Sequence, residues 1–307
     1  MSHAVVDVVD PGALTLVQDL GRPALSSLGV SGSGAFDRAA HRLAQRLVGN
    51  DEGAAGLEVL LGGLRLRVAA GTWIALTGAW VDARLDSASA SVAVPPHSAV
   101  LVDADAELVL GPVTHGARCT VALRGGIDAP LTLGSRSRDT LAALGPAPLA
   151  AGDVLPLGPE PASPVPVADL VPVDPPPRGL VELEVRPGPR ADWFTSDALD
   201  LLVTAEWKAS ARSDRTGVRL ELGSAVDGGS GGLARVPARE GAELESEGML
   251  RGSIQVSPDG APTVLGPDHP VTGGYPVIAV VVDASLDRLA QLLPGQPVRL
   301  RRATGRA

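Results

Sequence analysis

Between Pro156 and Arg178 the chain reads PLGPEPASPVPVADLVPVDPPPR, with a proline every few residues. Proline fixes φ and offers no backbone N–H, so such a stretch sustains neither a helix nor a sheet ladder. The break falls in the middle of a 307-residue sequence, longer than one hydrophobic core usually serves. The expected organisation is a domain over residues 1–158, a proline-rich linker over 159–179 and a second domain over 180–307.

On both sides of the break, short apolar runs stop at turns. Before it come 4–9, 14–20, LEVLL (57–61), LRLRV (64–68), 73–79, 99–104, 108–111 and 119–126; after it come 180–188, 215–222, 263–266, 276–283 and 298–302. Runs of this length, rich in Val, Ile and Leu and bounded by Gly and Pro, read as β-strands, and Gly62-Gly63 between two of them reads as a hairpin turn. Helices are few. Phe36, Ala39, Ala40, Leu43, Ala44 and Leu47 recur at helical spacing, with Arg38, Arg42, Gln45 and Arg46 on the other face and Ser33 as the expected N-cap. A second short helix is expected after Thr195 or Ser196, a helix-like stretch after Trp207, and a last helix after Ser285. The fold class is mainly β, of the barrel or sandwich kind, with a few short helices. Aromatics make up only 2% of the chain, so the core must be built from Val, Leu, Ile and Ala.

Composition excludes several kinds of chemistry. The formal net charge is −9, and no basic stripe marks a nucleic-acid surface. No window approaches the roughly 18 apolar residues of a membrane-spanning helix and no leader pattern opens the chain, so a cytoplasmic protein is expected. Lys208 is the only lysine and lacks the glycines of a phosphate loop, which disfavours a P-loop ATPase, a Schiff-base enzyme and a covalent biotin carrier. Cys119 lies in an apolar run and reads as a buried thiol. The histidines, His3, His41, His97, His115 and His269, show no metal-binding spacing, so no metal site is expected. Gly228-Gly229-Ser230-Gly231-Gly232 matches a nucleophile-elbow pattern in form only, because no strand and helix flank it.

The chemistry-bearing residues gather in glycine-rich turns at strand ends. The first cluster holds Asp19, Arg22 and Asp37; the second Arg124, Gly125, Gly126, Ser135 and Arg136. Asp214 and Arg215 form the third, Glu247, Gln255 and Asp259 the fourth, and Asp268, Thr272, Gly273, Gly274 and Tyr275 the fifth. Carboxylates at such positions suit proton transfer, and arginine forks and close backbone N–H groups suit anions. The expectation is one polar rim around a small-ligand site, with Asp19, Asp37, Glu247 and Tyr275 handling protons and the remainder binding substrate or anion. The alternative is that the arginines are structural pairs holding turns together.

These same segments carry a resemblance. PGALTLVQDLGRP, GAFDRAAHRLAQRLVGN, LEVLLGGLRL, RGGIDAP with LGSRS, RSDRTGVRL, SEGMLRGSIQV and PVTGGYPVIAVVVDASLDRLAQLLPGQPVRL follow, in order, the pattern of the biotin-dependent carboxyltransferase-domain family. That family includes the C subunit of 5-oxoprolinase, the KipA regulator, the second subunit of allophanate hydrolase and the transferase part of urea amidolyase. The chain departs from the pattern at Phe36, where methionine is usual, in LAALGPAPLAAGD, which lacks the usual glycine pair and arginine, and in the lengthened AVDGGSGG loop.

The resemblance implies two cyclophilin-like β-barrel domains and a role in an ATP-dependent 5-oxoprolinase complex. The partners would be a KipI-like protein of the B type and a LamB/YcsF-like protein of the A type, with ATP bound with or by a partner and 5-oxoproline or a related amide as substrate. The other implied roles are a non-catalytic KipA-type regulator and a carboxyltransferase served by a separate biotin carrier.

Overall fold

The computed structural model describes residues 4–167, 171–223 and 232–304. The Gly228–Gly231 part of the elbow-like motif and nearly all of the lengthened loop lie outside the described residues. The chain divides into two compact units: Met1–Arg22, Ser33–Asp139 and Ala143–Pro176 make the first, and Pro23–Gly32, Thr140–Ala142 and Pro177–Ala307 the second.

The first unit contains β1 (Val5–Pro11), β2 (Leu14–Gln18), α1 (Arg38–Leu47), β3 (Gly56–Leu60), β4 (Leu64–Val68), β5 (Trp73–Ser87), β6 (Ser91–Ala93), β7 (Ala99–Leu101), β8 (Ala106–Leu123) and β9 (Val154–Pro156). They form a nine-stranded half-barrel sheet in the order β2-β3-β8-β4-β1-β9, with β5 paired to β6, β7 and β8. The alternation in β4 shows why: Leu64, Leu66 and Val68 face the core while Arg65 and Arg67 face out. The buried cluster around them contains Val, Leu, Ile, Ala and Cys119 and no aromatic residue. Burial pushes the Cys119 thiol up to about 12, so it stays protonated.

Three expectations change here. Gly62-Gly63 is not a hairpin, because β3 and β4 do not pair with each other; both pair with the 18-residue β8, β3 near its end and β4 near its start. The glycines serve a close backbone crossing, since a Cβ on Gly62 would stand 2.1 Å from the Gly111 carbonyl oxygen. Helix α1 starts at Arg38, not after Ser33, and Asp37 is its N-cap, accepting from the Ala40 N–H at 2.8 Å. Ser33 instead takes a positive φ of 49°. Gln45, expected on the outer face of α1, is fully buried and accepts from Asn50 Nδ2 at 2.7 Å.

The second unit contains β10 (Val181–Pro187), α2 (Ser196–Thr204), β11 (Trp207–Ala209), β12 (Gly217–Leu222), β13 (Glu247–Gly248), β14 (Ser253–Val256), β15 (Pro262–Leu265), β16 (Thr272–Gly273), β17 (Val277–Val281), α3 (Asp283–Ala290) and β18 (Pro297–Arg302). Seven strands close a barrel in the order β10-β17-β14-β15-β12-β11-β18, and the parallel pairing of β10 with β18 seals it. Closure removes the sheet edges. The stretch after Trp207 is strand β11 and not helix, because Trp207 is buried in the barrel, where its Nε1 donates to Leu202 O at 3.0 Å. Lys208 points outward, opposite Glu221.

Candidate functional site

In the first unit, Asp19 ends the strand-to-loop step after β2, and its carboxylate is saturated. It accepts from Gly21 N at 2.7 Å, Ser135 Oγ at 2.7 Å and Arg136 N at 2.6 Å, and from the Ser137 hydroxyl. Asp19 is 8% exposed and Ser135 and Ser137 are sealed. With four donors already on its two oxygens, the carboxylate has no position open to a substrate proton, so Asp19 organises the 132–138 loop. Arg22, also buried, donates to Thr132 O and Ser137 O, and its Nη1 has no hydrogen-bond partner among the described residues. The Arg136 guanidinium bonds Asp128 Oδ1 at 2.7 Å and remains 32% exposed. His41, on the buried face of α1, reaches Ala54 O at 3.0 Å, and burial lowers its pKa.

Arg124, expected to bind an anion, is spent on the proline-rich segment. Its guanidinium donates to Val48 O, Pro161 O and Ser163 O at 2.7–3.0 Å and to Glu160 at 3.0 Å. Gly125, at positive φ, makes room for the same strap, since a Cβ there would lie 2.6 Å from Gly158 O, and the Gly126 carbonyl accepts from Gly158 N at 3.0 Å. These three residues form a latch, and Asp37 is committed as a helix cap; the physical reason in each case is that the polar groups already have backbone partners.

In the second unit, Arg215 and Asp268 form a two-point ion pair, Nε to Oδ2 at 2.8 Å and Nη2 to Oδ1 at 3.0 Å, with side chains 3% and 0% exposed. Asp268 also accepts from Thr140 N and Oγ1 at 2.9 and 2.7 Å. Neither is free for a ligand. Asp214 folds its turn by accepting from Thr216 N at 2.7 Å and Gly217 N at 3.2 Å. Glu247 is clamped by Arg190, which holds its carboxyl below the usual range and makes it a poor proton donor near neutrality.

The remaining predicted residues converge. Glu247 and Gly248 on β13 pair with Gly273 and Thr272 on β16, and Gln255 Nε2 donates to Tyr275 O at 3.3 Å against the open face of Gly273. Beyond them lies a half-open cleft of about 880 Å³, walled by the 232–235 and 240–244 segments, the 257–260 turn and Gly274-Tyr275. Asp259 is held down to about 2 by the Ser257 hydroxyl and, less strongly, by Arg219. Tyr275 is 47% exposed, and its hydroxyl has no hydrogen-bond partner among the described residues. A volume near the upper end of small-ligand pockets, lined by the Tyr275 ring and by the charged groups of Arg235, Glu240, Glu243 and Asp259, makes this the principal candidate site of the unit. Sequence reasoning missed Ser137, Arg190 and Arg235: Ser137 and Arg190 lie in or beside glycine-rich turns, but only the fold shows which carboxylate or carbonyl each meets. Among the described residues no three His, Cys, Asp or Glu side chains gather as a metal site.

A sequence profile of the family "Carboxyltransferase domain, subdomain A and B" matches residues 28–302. The chain belongs to that family. It is 35% identical to the C subunit of 5-oxoprolinase from Escherichia coli K12, over 96% of this chain and 90% of that protein. Its backbone is similar to that of the solved protein TTHA0988, with TM-score 0.82 and 33% identity, over 97% of this chain and 56% of the other. It is similar as well to the Kluyveromyces lactis urea carboxylase, with TM-score 0.83 and 30% identity, over 99% of this chain and 28% of the other. This carboxyltransferase-domain chain thus spans about half of the first solved relative and little more than a quarter of the second, and no described helix is long and apolar enough to cross a membrane.

Proposed function

We propose that this chain is the C-type component of a cytoplasmic, ATP-dependent 5-oxoprolinase, working with a KipI-like protein of the B type and a LamB/YcsF-like protein of the A type. The observation that carries the reading is the similarity to the C subunit of 5-oxoprolinase over 90% of that protein's length, where urea carboxylase is matched over only 28% of its own. A lactam carbonyl is a weak electrophile. In the proposed reaction its oxygen attacks the γ-phosphorus of ATP and ADP leaves. Water then adds to the activated carbon, the C–N bond breaks with a proton delivered to nitrogen, and phosphate departs after hydrolysis to leave glutamate.

The chain's own contribution is binding and shielding. With Arg124 and Arg215 committed, Arg136 is the predicted anion fork left with exposed surface, and it is assigned to the substrate carboxylate. ATP is assigned to a partner or to a shared surface, because Lys208 lies on an outward strand position without a phosphate loop. The test combines the chain with both partners, 5-oxoproline and ATP, and measures glutamate and ADP. Turnover only with all three supports the reading. Absence of glutamate in every combination overturns it, tight partner binding without turnover favours the KipA-type regulator, and biotin-dependent carboxylation of urea favours the carboxyltransferase.

A further inference from the structure

The cleft of the second unit has a charge that does not match an anionic substrate. Three carboxylates line it, Glu240, Glu243 and Asp259, against one guanidinium, Arg235. Arg235 is turned to internal work, donating to Ala242 O at 2.9 Å and lying 5.7 Å from the Trp193 ring centre, where Arg239 stacks as well at 4.8 Å. Asp259 has its own partners in Arg219 and Ser257. Glu240 and Glu243 are exposed, and neither forms an ion pair among the described residues. The lining also includes Tyr275, nearly half exposed, and Leu244.

An aromatic face and two uncommitted carboxylates in a cleft of about 880 Å³ suit one ligand chemistry above others: a planar cation that stacks on the ring and donates in its own plane to carboxylates. We propose that this cleft is a guanidinium-binding site, with Tyr275 as the platform and Glu240 and Glu243 as acceptors. The same chemistry has two sources, a free small guanidinium compound or an arginine side chain presented by a partner protein.

Tyr275 is the only tyrosine in the chain, so ¹³C-tyrosine labelling gives a single ring signal placed at the site itself. The full-length protein is titrated with ethylguanidinium, with its neutral isostere ethylurea, and with a capped Gly-Gly-Arg-Gly-Gly peptide. The expected result is a saturable shift with a guanidinium probe that weakens with added salt and weakens by about fivefold in the Glu240→Gln, Glu243→Gln variant. Both substitutions are at exposed positions, so the variant keeps its fold, checked by its thermal transition. A shift from the peptide alone assigns the site to a partner's arginine, and a shift from ethylguanidinium assigns it to a free ligand as well. No shift from either guanidinium probe, an equal response to ethylurea, or unchanged affinity in the variant overturns the proposal.

Discussion

Asp268→Ala is the substitution that tests the second unit most severely. The native carboxylate is sealed from solvent and receives the Arg215 Nε and Nη2 and the Thr140 N–H and hydroxyl, all within 3.0 Å. Removing it leaves the Arg215 guanidinium, 3% exposed, without its counter-charge. Breaking a buried pair from one side costs about 3–5 kcal/mol, because the stranded charge has lost both water and partner. The Thr140 donors lose their acceptor too, a penalty of about 1–3 kcal/mol that overlaps the first. A net loss of about 4 kcal/mol is therefore expected, a drop of about 2 M in the urea midpoint for a slope of about 2 kcal/mol per M. The assay is urea unfolding followed at the buried Trp207, which reports on the barrel. The control is the double change Arg215→Met, Asp268→Leu, which removes both charges and should be more stable than the single variant by about 2 kcal/mol. A loss below about 1 kcal/mol for Asp268→Ala, or a double variant no more stable than the single one, would refute the argument.

Three further outcomes are expected. Gly62→Ala places a methyl 2.1 Å from the Gly111 oxygen at a φ of +81° and should cost about 3 kcal/mol in thermal or urea unfolding of the first unit, whereas Gly71→Ala, with nothing within 4 Å of its Cβ position, should cost about 1 kcal/mol from its positive φ alone. Arg124→Ala frees the strap from two carbonyl contacts and one carboxylate contact, so limited proteolysis within residues 159–167 should accelerate by about tenfold, read by mass spectrometry, while β8 stays protected. Burial lowers the pKa of His41 and of His97 below 6.5, so the unfolded chain takes up protons first as pH falls; stability is complete above about 6.5 and declines towards the lower folded values. Urea midpoints measured across pH 7.5 to about 5 should show that decline, and His41→Gln should flatten it.

The β class, the short helices and the division of labour between apolar runs and glycine turns were legible because they are written in local periodicity. Leu64, Leu66 and Val68 alternate with Arg65 and Arg67 in the sequence as they do in β4. The pairing of β3 and β4 was not legible. Gly62-Gly63 carries the same signature whether the flanking strands fold onto each other or both lie along β8, and the deciding contact, Gly111, is some fifty residues away. The candidate site shows the same limit. Asp19, Ser135 and Arg136 were all picked out by residue type, yet their role turns on Asp19 receiving four donors, three of them from more than a hundred residues along the chain. Residue type names the groups able to do chemistry; only the fold shows which of them are already occupied.

That occupation explains the most unusual feature of the composition, the near-total replacement of lysine by arginine. Arg124 bridges three carbonyls and a carboxylate at once. Arg22 spans Thr132 O and Ser137 O, Arg138 spans Ala143 O and Gly145 O, and Arg288 reaches Glu182 O. Each fastens a turn or a strand end. A planar fork with five donors can serve several fixed acceptors together, whereas a lysine ammonium on a flexible stem is a single hydrated point charge and would leave some of them unpaired. A fold with so many short strands has many such ends, and the demand for multi-point donors rises with their number. The cost falls on function: an arginine fastened to carbonyls is lost as an anion fork. This is why Arg136, held by one side-chain contact and still partly exposed, carries the proposed substrate contact, and why the proposal assigns ATP to a partner or a shared surface although the chain is rich in arginine.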